Sequence, residues 1–169
     1  MISLRRATAA DVDWLVDLYG SEDVEPFLSG RSARDVETLA AEVERSERAP
    51  EEFGRMLIEV DGVRAGALGF SEINGPNRIV RLEGLAVHRD HRGRRLADEA
   101  TRLVQRYLLE ELGYHRIELA CFGFNDRAIA QAERSGFVRE GVKRKAYLRH
   151  GEWQDAVLFS LLAEELPEA

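Results

Sequence analysis

Between Met56 and Ala67 apolar residues alternate with others. Met56, Ile58 and Val60 lie on one side of Asp61-Gly62, and Val63, Ala65 and Ala67 on the other. A period of two puts one set of side chains on one face of a strand. The Asp-Gly pair tolerates the two positive φ angles that a tight hairpin turn needs. Two antiparallel neighbours follow. Asn74-Gly75-Pro76-Asn77 marks a second turn, and Ile79 to Val87 continues as a mostly apolar strand broken by Arg81, Glu83 and Gly84. Strands joined by short turns argue against a plain doubly wound parallel sheet and predict a mixed or antiparallel one.

The period then changes. From near Gly93, Leu96, Ala100, Leu103, Val104, Tyr107, Leu108 and Leu112 recur as one helical stripe, with Gly113 placed to end it. Ile117 to Cys121 returns to strand, so Ile79 to Cys121 is a crossover unit that predicts two parallel, adjacent strands. Asn125 is a good N-cap for a helix to about Arg134, closed by Gly136, and 137–148 and 153–162 read as closing strands around His150-Gly151. Upstream, 2–7 reads as an opening strand. Thr8, with Asp11, caps a helix carrying Val12, Leu15, Val16 and Tyr19. Ser32 reads as the cap of a second helix carrying Val36, Leu39, Ala40 and Val43, which stops at Ala49-Pro50.

Size and charge narrow the function. A chain of 169 residues is one domain's worth, 1–169, and can bury roughly 70% of its unfolded surface. Thirty-one acids against 24 Lys and Arg give a net charge of −7, a poor match for nucleic acid or an anionic membrane. Cys121 is the single cysteine, which rules out an internal disulfide and a cysteine-cluster metal site. No apolar run approaches the ~18 residues of a membrane span, and Met1 to Arg6 lacks an apolar signal core. The expected setting is the cytoplasm.

One segment breaks a local rule. His88-Arg89-Asp90-His91-Arg92-Gly93-Arg94-Arg95-Leu96-Ala97 joins the apolar strand to the long helix and crowds cations at a helix N-terminus. The macrodipole disfavours cations there by roughly 0.3–1 kcal/mol each, and the first amides lack intrahelical partners. A pyrophosphate would satisfy dipole, amides and arginines together. The alternative is a solvated basic loop paired with surface acids. No G-x-x-x-x-G-K-[ST] is present, and Gly66-Ala67-Leu68-Gly69 lies within a strand, so neither a P-loop nor a dinucleotide fingerprint fits.

The segment Leu82 to Ala97 resembles the GNAT acyl-CoA-dependent N-acetyltransferases, whose hallmark is a strand followed by R/Q-x-x-G-x-G/A. Here the hallmark reads Arg92-Gly93-Arg94-Arg95-Leu96-Ala97. Asn125-Asp126-Arg127-Ala128-Ile129 to Gly136-Phe137 is similar to the family's second cofactor region. The run from Arg139 through Tyr147 and Trp153 to Asp155, with the opening Leu4 to Thr8, resembles the branch of ribosomal-protein and spermidine acetyltransferases. The resemblance spans nearly the whole chain and implies a single α/β (α+β) domain. Its mixed, mostly antiparallel sheet would have about seven strands flanked by about four helices. Two positions depart from the pattern: Arg95 stands at its second glycine, and Ala132 where a Tyr is often found near the cofactor sulfur.

The implied function is acetyl transfer from acetyl-CoA to a primary amine, on a protein N-terminus, a polyamine or a small molecule, by a monomer or homodimer. The alternative is a non-catalytic acyl-CoA-binding or sensing domain. The resemblance implies that Leu85, Ala86 and Val87 line the pantetheine arm, and that Arg92, Gly93, Arg94, Arg95, Leu96 and Ala97 hold the pyrophosphate. Asn125 would contact the pantetheine region, with Arg127 and Ala128 nearby. Glu83, on the apolar strand leading there, is the first candidate base, or else a strand carboxylate paired with Arg81. His88 is a second candidate. Glu22, Asp23 and Glu25 can attract a cationic amine; Phe27, Tyr147 and Trp153 can wall the acceptor site, or belong to loop and core. His88, Asp90 and His91 lack a firm further ligand, so no metal is expected.

Overall fold

The computed structural model describes residues 1–28 and 34–168. Asp61 and Gly62 take φ of 50° and 80°, as a two-residue hairpin turn requires, and join β2 (Phe53–Val60) to β3 (Val63–Asn74). Ahead of them lies β1 (Ile2–Arg6); after them come β4 (Ile79–Val87), β5 (Arg116–Phe122), β6 (Val138–Arg149) and β7 (Glu152–Leu162). One seven-stranded sheet holds them in the order β1-β2-β3-β4-β5-β7-β6. Every pairing is antiparallel except β4 with β5, where the crossover enforces parallel strands.

Alternation along the strands gives each face its own helices. On one face, α1 (Val12–Gly20) and α2 (Val36–Arg48) pack Leu15, Leu18, Tyr19, Leu39 and Val43 against Leu57, Ala67 and Ala86. On the other, α3 (Leu96–Arg106) and α4 (Asp126–Arg134) bury Leu96, Ala100, Val104 and Ala132 against Ile58, Leu68, Val80 and Phe159. The mixed sheet, its strand number and its four helices agree with the sequence-based expectation.

Local details differ. α3 starts at Leu96 rather than Gly93, because Gly93 and Arg95 sit at φ of 79° and 55°, and a left-handed residue does not propagate a right-handed helix. Beyond Arg106 the helix widens into i→i+5 turns over Tyr107–Glu111, and Leu103, assigned to the stripe, is 39% exposed. Thr8 and Asp11 do form a cap, with the Thr8 amide donating to Asp11 Oδ2 at 2.8 Å, but over a short 3₁₀ turn leading into α1. Ser32 lies outside the described residues; Asp35 caps α2, its Oδ1 accepting from the Thr38 amide at 2.7 Å.

Two irregularities in β4 open the sheet on one side. The parallel ladder to β5 runs only from Ile79–Arg116 to Arg81–Glu118, after which β4 keeps only β3 and β5 continues on β7. Between the pairs Gly69–Glu83 and Ala67–Ala86, β4 also carries one residue more than β3, a bulge with Gly84 at φ 64°. A Cβ on Gly84 would stand 3.1 Å from both Arg55 Nη1 and Tyr19 Oη, and a positive φ costs an L-residue roughly 1–2 kcal/mol. Gly84→Ala is therefore expected to lower the unfolding free energy by about 1–3 kcal/mol in urea titration. An unshifted midpoint is incompatible with this backbone.

Candidate active site

Where β4 and β5 part, a cleft of about 660 Å³ opens between them. Its walls are assembled from five places, one of them the loop after α1 with Asp23, Val24, Phe27 and Leu28. β4 contributes Glu83, Leu85, Ala86 and Val87, and β5 contributes Leu119, Ala120 and Cys121. The loop into α3 contributes Arg92, Gly93, Arg95, Leu96 and Ala97, and the start of α4 contributes Asn125, Arg127 and Ala128. Of the residues expected to hold a coenzyme, Arg94 alone is not brought to the cleft; it is exposed on the turn that Arg95 reverses.

Charge is unevenly compensated here. Arg92 is held by Asp23 at 2.6 Å and donates from Nε to the Val87 carbonyl at 3.1 Å. Arg134 pairs with Asp98 at 3.1 Å. Arg95 and Arg127 line the same cleft, and neither forms an ion pair among the described residues. The first helical bond of α3 runs from the Glu99 amide to the Arg95 carbonyl, so the amides of Leu96, Ala97 and Asp98 precede the ladder. His91 also lines the cleft, and its Nδ1 is buried without a hydrogen-bond partner. Uncompensated donors and guanidinium groups facing one cavity suit a phosphate-bearing ligand. Asn125 acts at once as cap and wall: its Oδ1 accepts from the Ala128 amide at 3.2 Å.

Glu83 sits half-buried in the bulge, facing the cleft, and forms no ion pair with Arg81 or any other described residue. Below it lies a buried polar network that no sequence motif announces. Arg55 of β2 is 0% exposed. Its Nε and Nη2 donate to Glu42 Oε2 at 3.0 and 2.7 Å, and its Nη1 donates to Tyr19 Oη at 3.1 Å. Tyr19 in turn donates to the Gly84 carbonyl at 2.8 Å. Burial alone would push the Arg55 pKa down; interaction with Tyr19, Glu42 and Glu83 outweighs it, and the net direction is up. A charged guanidinium therefore lies below Glu83. Gly69 leaves room for it, since a Cβ there would stand 2.6 Å from Arg55 Nη1. The only sequence signal was an arginine inside an otherwise apolar run.

Several expected acceptor residues are placed elsewhere. Glu22 lines a neighbouring cavity of about 330 Å³ with Trp14 and Asp17, where His88 stacks on Trp14 at 6.3 Å. Trp153 is 59% exposed opposite Leu148, near the turn of the last hairpin. Tyr147 meets Phe122 edge-on at 5.8 Å instead of lining the cleft. Phe27 does line it, and also contacts Phe124, an aromatic residue for which the sequence suggested no role. Ala132 is 1% exposed in the core, and none of the lining residues is a tyrosine. Among the described residues no three His, Cys, Asp or Glu gather closely enough to hold a metal ion, and no helix is long and apolar enough to cross a membrane.

Comparison with known proteins gives a consistent picture. Residues 15–137 match the model of the Acetyltransferase (GNAT) family. The SPbeta prophage-derived uncharacterized N-acetyltransferase YokL of Bacillus subtilis (strain 168) is 33% identical over 115 residues, 68% of this chain and 64% of that protein. The spermidine N(1)-acetyltransferase of Escherichia coli (strain K12) is 26% identical over 61% of this chain and 55% of its own length. These alignments thus span less than two thirds of either relative. The crystal structure of spermidine N-acetyltransferase from Vibrio cholerae in complex with CoA and spermine superposes with a TM-score of 0.86 at 20% identity. That superposition covers 98% of this chain and 97% of the other, and shows a shared fold.

Cys121 is the one nucleophilic sulfur in the cleft, and burial pushes its thiol up to about 11. At pH 8 only about one thiol in a thousand is then ionised. Alkylation by iodoacetamide is expected to be far slower than for an unfolded control at pH 8, and to accelerate as the pH approaches 11. Rapid labelling of the folded protein at pH 8 would contradict that placement.

Proposed function

The chain belongs to the acetyltransferase (GNAT) family, and from that premise we propose that it transfers an acetyl group from acetyl-CoA to a primary amine. The observation that carries this reading is the early end of the β4–β5 ladder at Arg81–Glu118, because it opens the cleft at the arginine-rich start of α3. The cleft's volume falls in the range typical of small-molecule sites. Its residues fit the coenzyme: apolar walls at Leu85 and Ala86, and amides and guanidinium groups at Leu96, Arg95 and Arg127 for its phosphates. Acetyl-CoA supplies the thioester carbonyl that the amine attacks.

The residues of this chain then have two tasks. The first is to bring the amine up as a free base, since an ammonium is no nucleophile. Glu83 stands at the cleft on the bulged strand, without an ion pair to occupy it, and takes that proton. The second is to hold Glu83 still, which falls to the Gly84 carbonyl, bonded from below by Tyr19, whose hydroxyl accepts in turn from Arg55. With no tyrosine among the lining residues, water protonates the departing thiolate. A cytoplasmic setting, as a monomer or homodimer, completes this reading. That same lack of a tyrosine also supports a second reading, a module that binds acyl-CoA without turning it over.

Acetyl-CoA is expected to raise the melting temperature, and a panel of amines to release free thiol. Glu83→Gln should keep the thermal shift and lower turnover by roughly 10²–10⁴-fold. Unchanged turnover would remove Glu83 as base, and a shift without thiol release for any amine would favour the binding module. Arg95→Gly separates strain from binding. It relieves a left-handed φ of 55° and should raise the melting temperature of the free protein, while weakening CoA binding in calorimetry. Unweakened binding would mean that the Arg95 side chain makes no contact with the ligand.

A further inference from the structure

From sequence the acidic loop before 29–33 can attract a cationic amine, yet two of its three carboxylates are already taken. Asp23 is held by Arg92 at 2.6 Å. Glu25 accepts from Arg149 Nη2 at 2.5 Å, and His150 Nε2 lies 3.4 Å from its other oxygen. Glu22 faces the neighbouring cavity, and residues 29–33 contain no acid. Of the remaining carboxylates on the cleft, Asp98 is 2% exposed and paired with Arg134, and Asp126, exposed and without an ion pair among the described residues, stands at the start of α4 next to the stretch assigned to the coenzyme. Glu83 is left as the single carboxylate on β4, enough for one ammonium.

Aromatic rings occupy the place where further carboxylates would be needed. Phe27, which lines the cleft, is 46% exposed and meets Phe124, 45% exposed, at 6.1 Å. Phe124 stacks on Phe122 at 5.2 Å with an interplanar angle of 15°, and Phe122 takes the edge of Tyr147. The ladder thus leads out of the cleft from rings with free faces to rings anchored in the sheet. Next to Tyr147, the strand irregularity between Lys143 and Tyr147 carries Arg144 and Lys145, which form no ion pair among the described residues. Exposed rings backed by buried ones favour an apolar or aromatic group, and unpaired cations nearby repel a second ammonium.

We propose, on the reading of this cleft as an acetyl-transfer site, that its acceptor is a singly charged amine bearing an aromatic or bulky apolar group, which the Phe27–Phe124 pair receives, and not a polyamine. The test uses the full chain with acetyl-CoA and follows thiol release with phenethylamine, butylamine and spermidine. Phenethylamine is expected to give a kcat/KM at least tenfold above the other two, changing less than twofold between 50 and 500 mM NaCl, as apolar recognition requires. Phe124→Ala should raise KM for phenethylamine and collapse the phenethylamine-to-butylamine ratio toward one, and Phe124→Trp should retain it. Because Phe124 is already exposed, these variants test the ring and not the core. A preference for spermidine that fades with salt, or a ratio untouched by Phe124→Ala, overturns the assignment alone. No thiol release with any amine, while acetyl-CoA still raises the melting temperature, overturns the acetyl-transfer reading and the assignment with it.

Discussion

The bond from Tyr19 Oη to the Gly84 carbonyl, backed by Arg55, is the contact on which the site depends. A strand that leaves its parallel neighbour exposes backbone on one edge and invites repair by closing the gap. In this protein the bulge gives β4 one residue more than β3 beside Gly84, and the carbonyl there is bonded from the α1 side of the sheet. Arg55 can be fully buried only because Glu42 takes two of its donors; removing one partner of such a pair commonly costs about 3–5 kcal/mol. A polar cluster that costly to leave incomplete is a sound anchor for a strand meant to stay open.

The arginines at the start of α3 divide by the same accounting of charge. Arg92 and Arg134 meet carboxylates and knit the cleft's walls together; Arg95 and Arg127 meet none among the described residues and bring uncompensated positive charge to the cleft. Arg94, one residue away, points to solvent. The left-handed conformation of Arg95 is what separates the two neighbours. A glycine would adopt that φ freely, so the strain of keeping arginine there is tied to what its side chain does in the cleft.

Much of this was legible in the chain because it is written in local chemistry. Asp61-Gly62 demanded a hairpin, the change of period after Val87 demanded a crossover, and the residues that the resemblance assigned to the coenzyme, Arg94 apart, line one cleft. What stayed hidden depends on contacts between distant segments. Arg55 meets Tyr19 and Glu42 across different elements, and no periodicity reveals which arginine of a strand will be buried with a partner. The acids Asp23 and Glu25 looked free because Arg92 and Arg149 lie 69 and 124 residues further along the chain. Trp153 looked like a wall because it is aromatic, yet it sits on an exposed stretch of the last hairpin.

The same pairing logic connects the two ends of the cleft. At the starts of α3 and α4, Arg95 and Arg127 lack ion-pair partners among the described residues, which suits negative charge there. At the other end Asp23 and Glu25 are partnered and Glu22 faces a neighbouring cavity, so electrostatic attraction there is reduced and shape and apolar surface gain weight in the selecting. A single unpaired carboxylate, Glu83, lies on β4 beside the bulge and close to the buried Arg55. On the proposed reading, a carboxylate in that position stabilises an arriving ammonium and is also the base that deprotonates it. On that reading binding and activation fall to one group, and β4 offers no second carboxylate for another charge on the substrate. On the proposed reading it is the division of charge within the fold, more than its total of −7, that selects among amines.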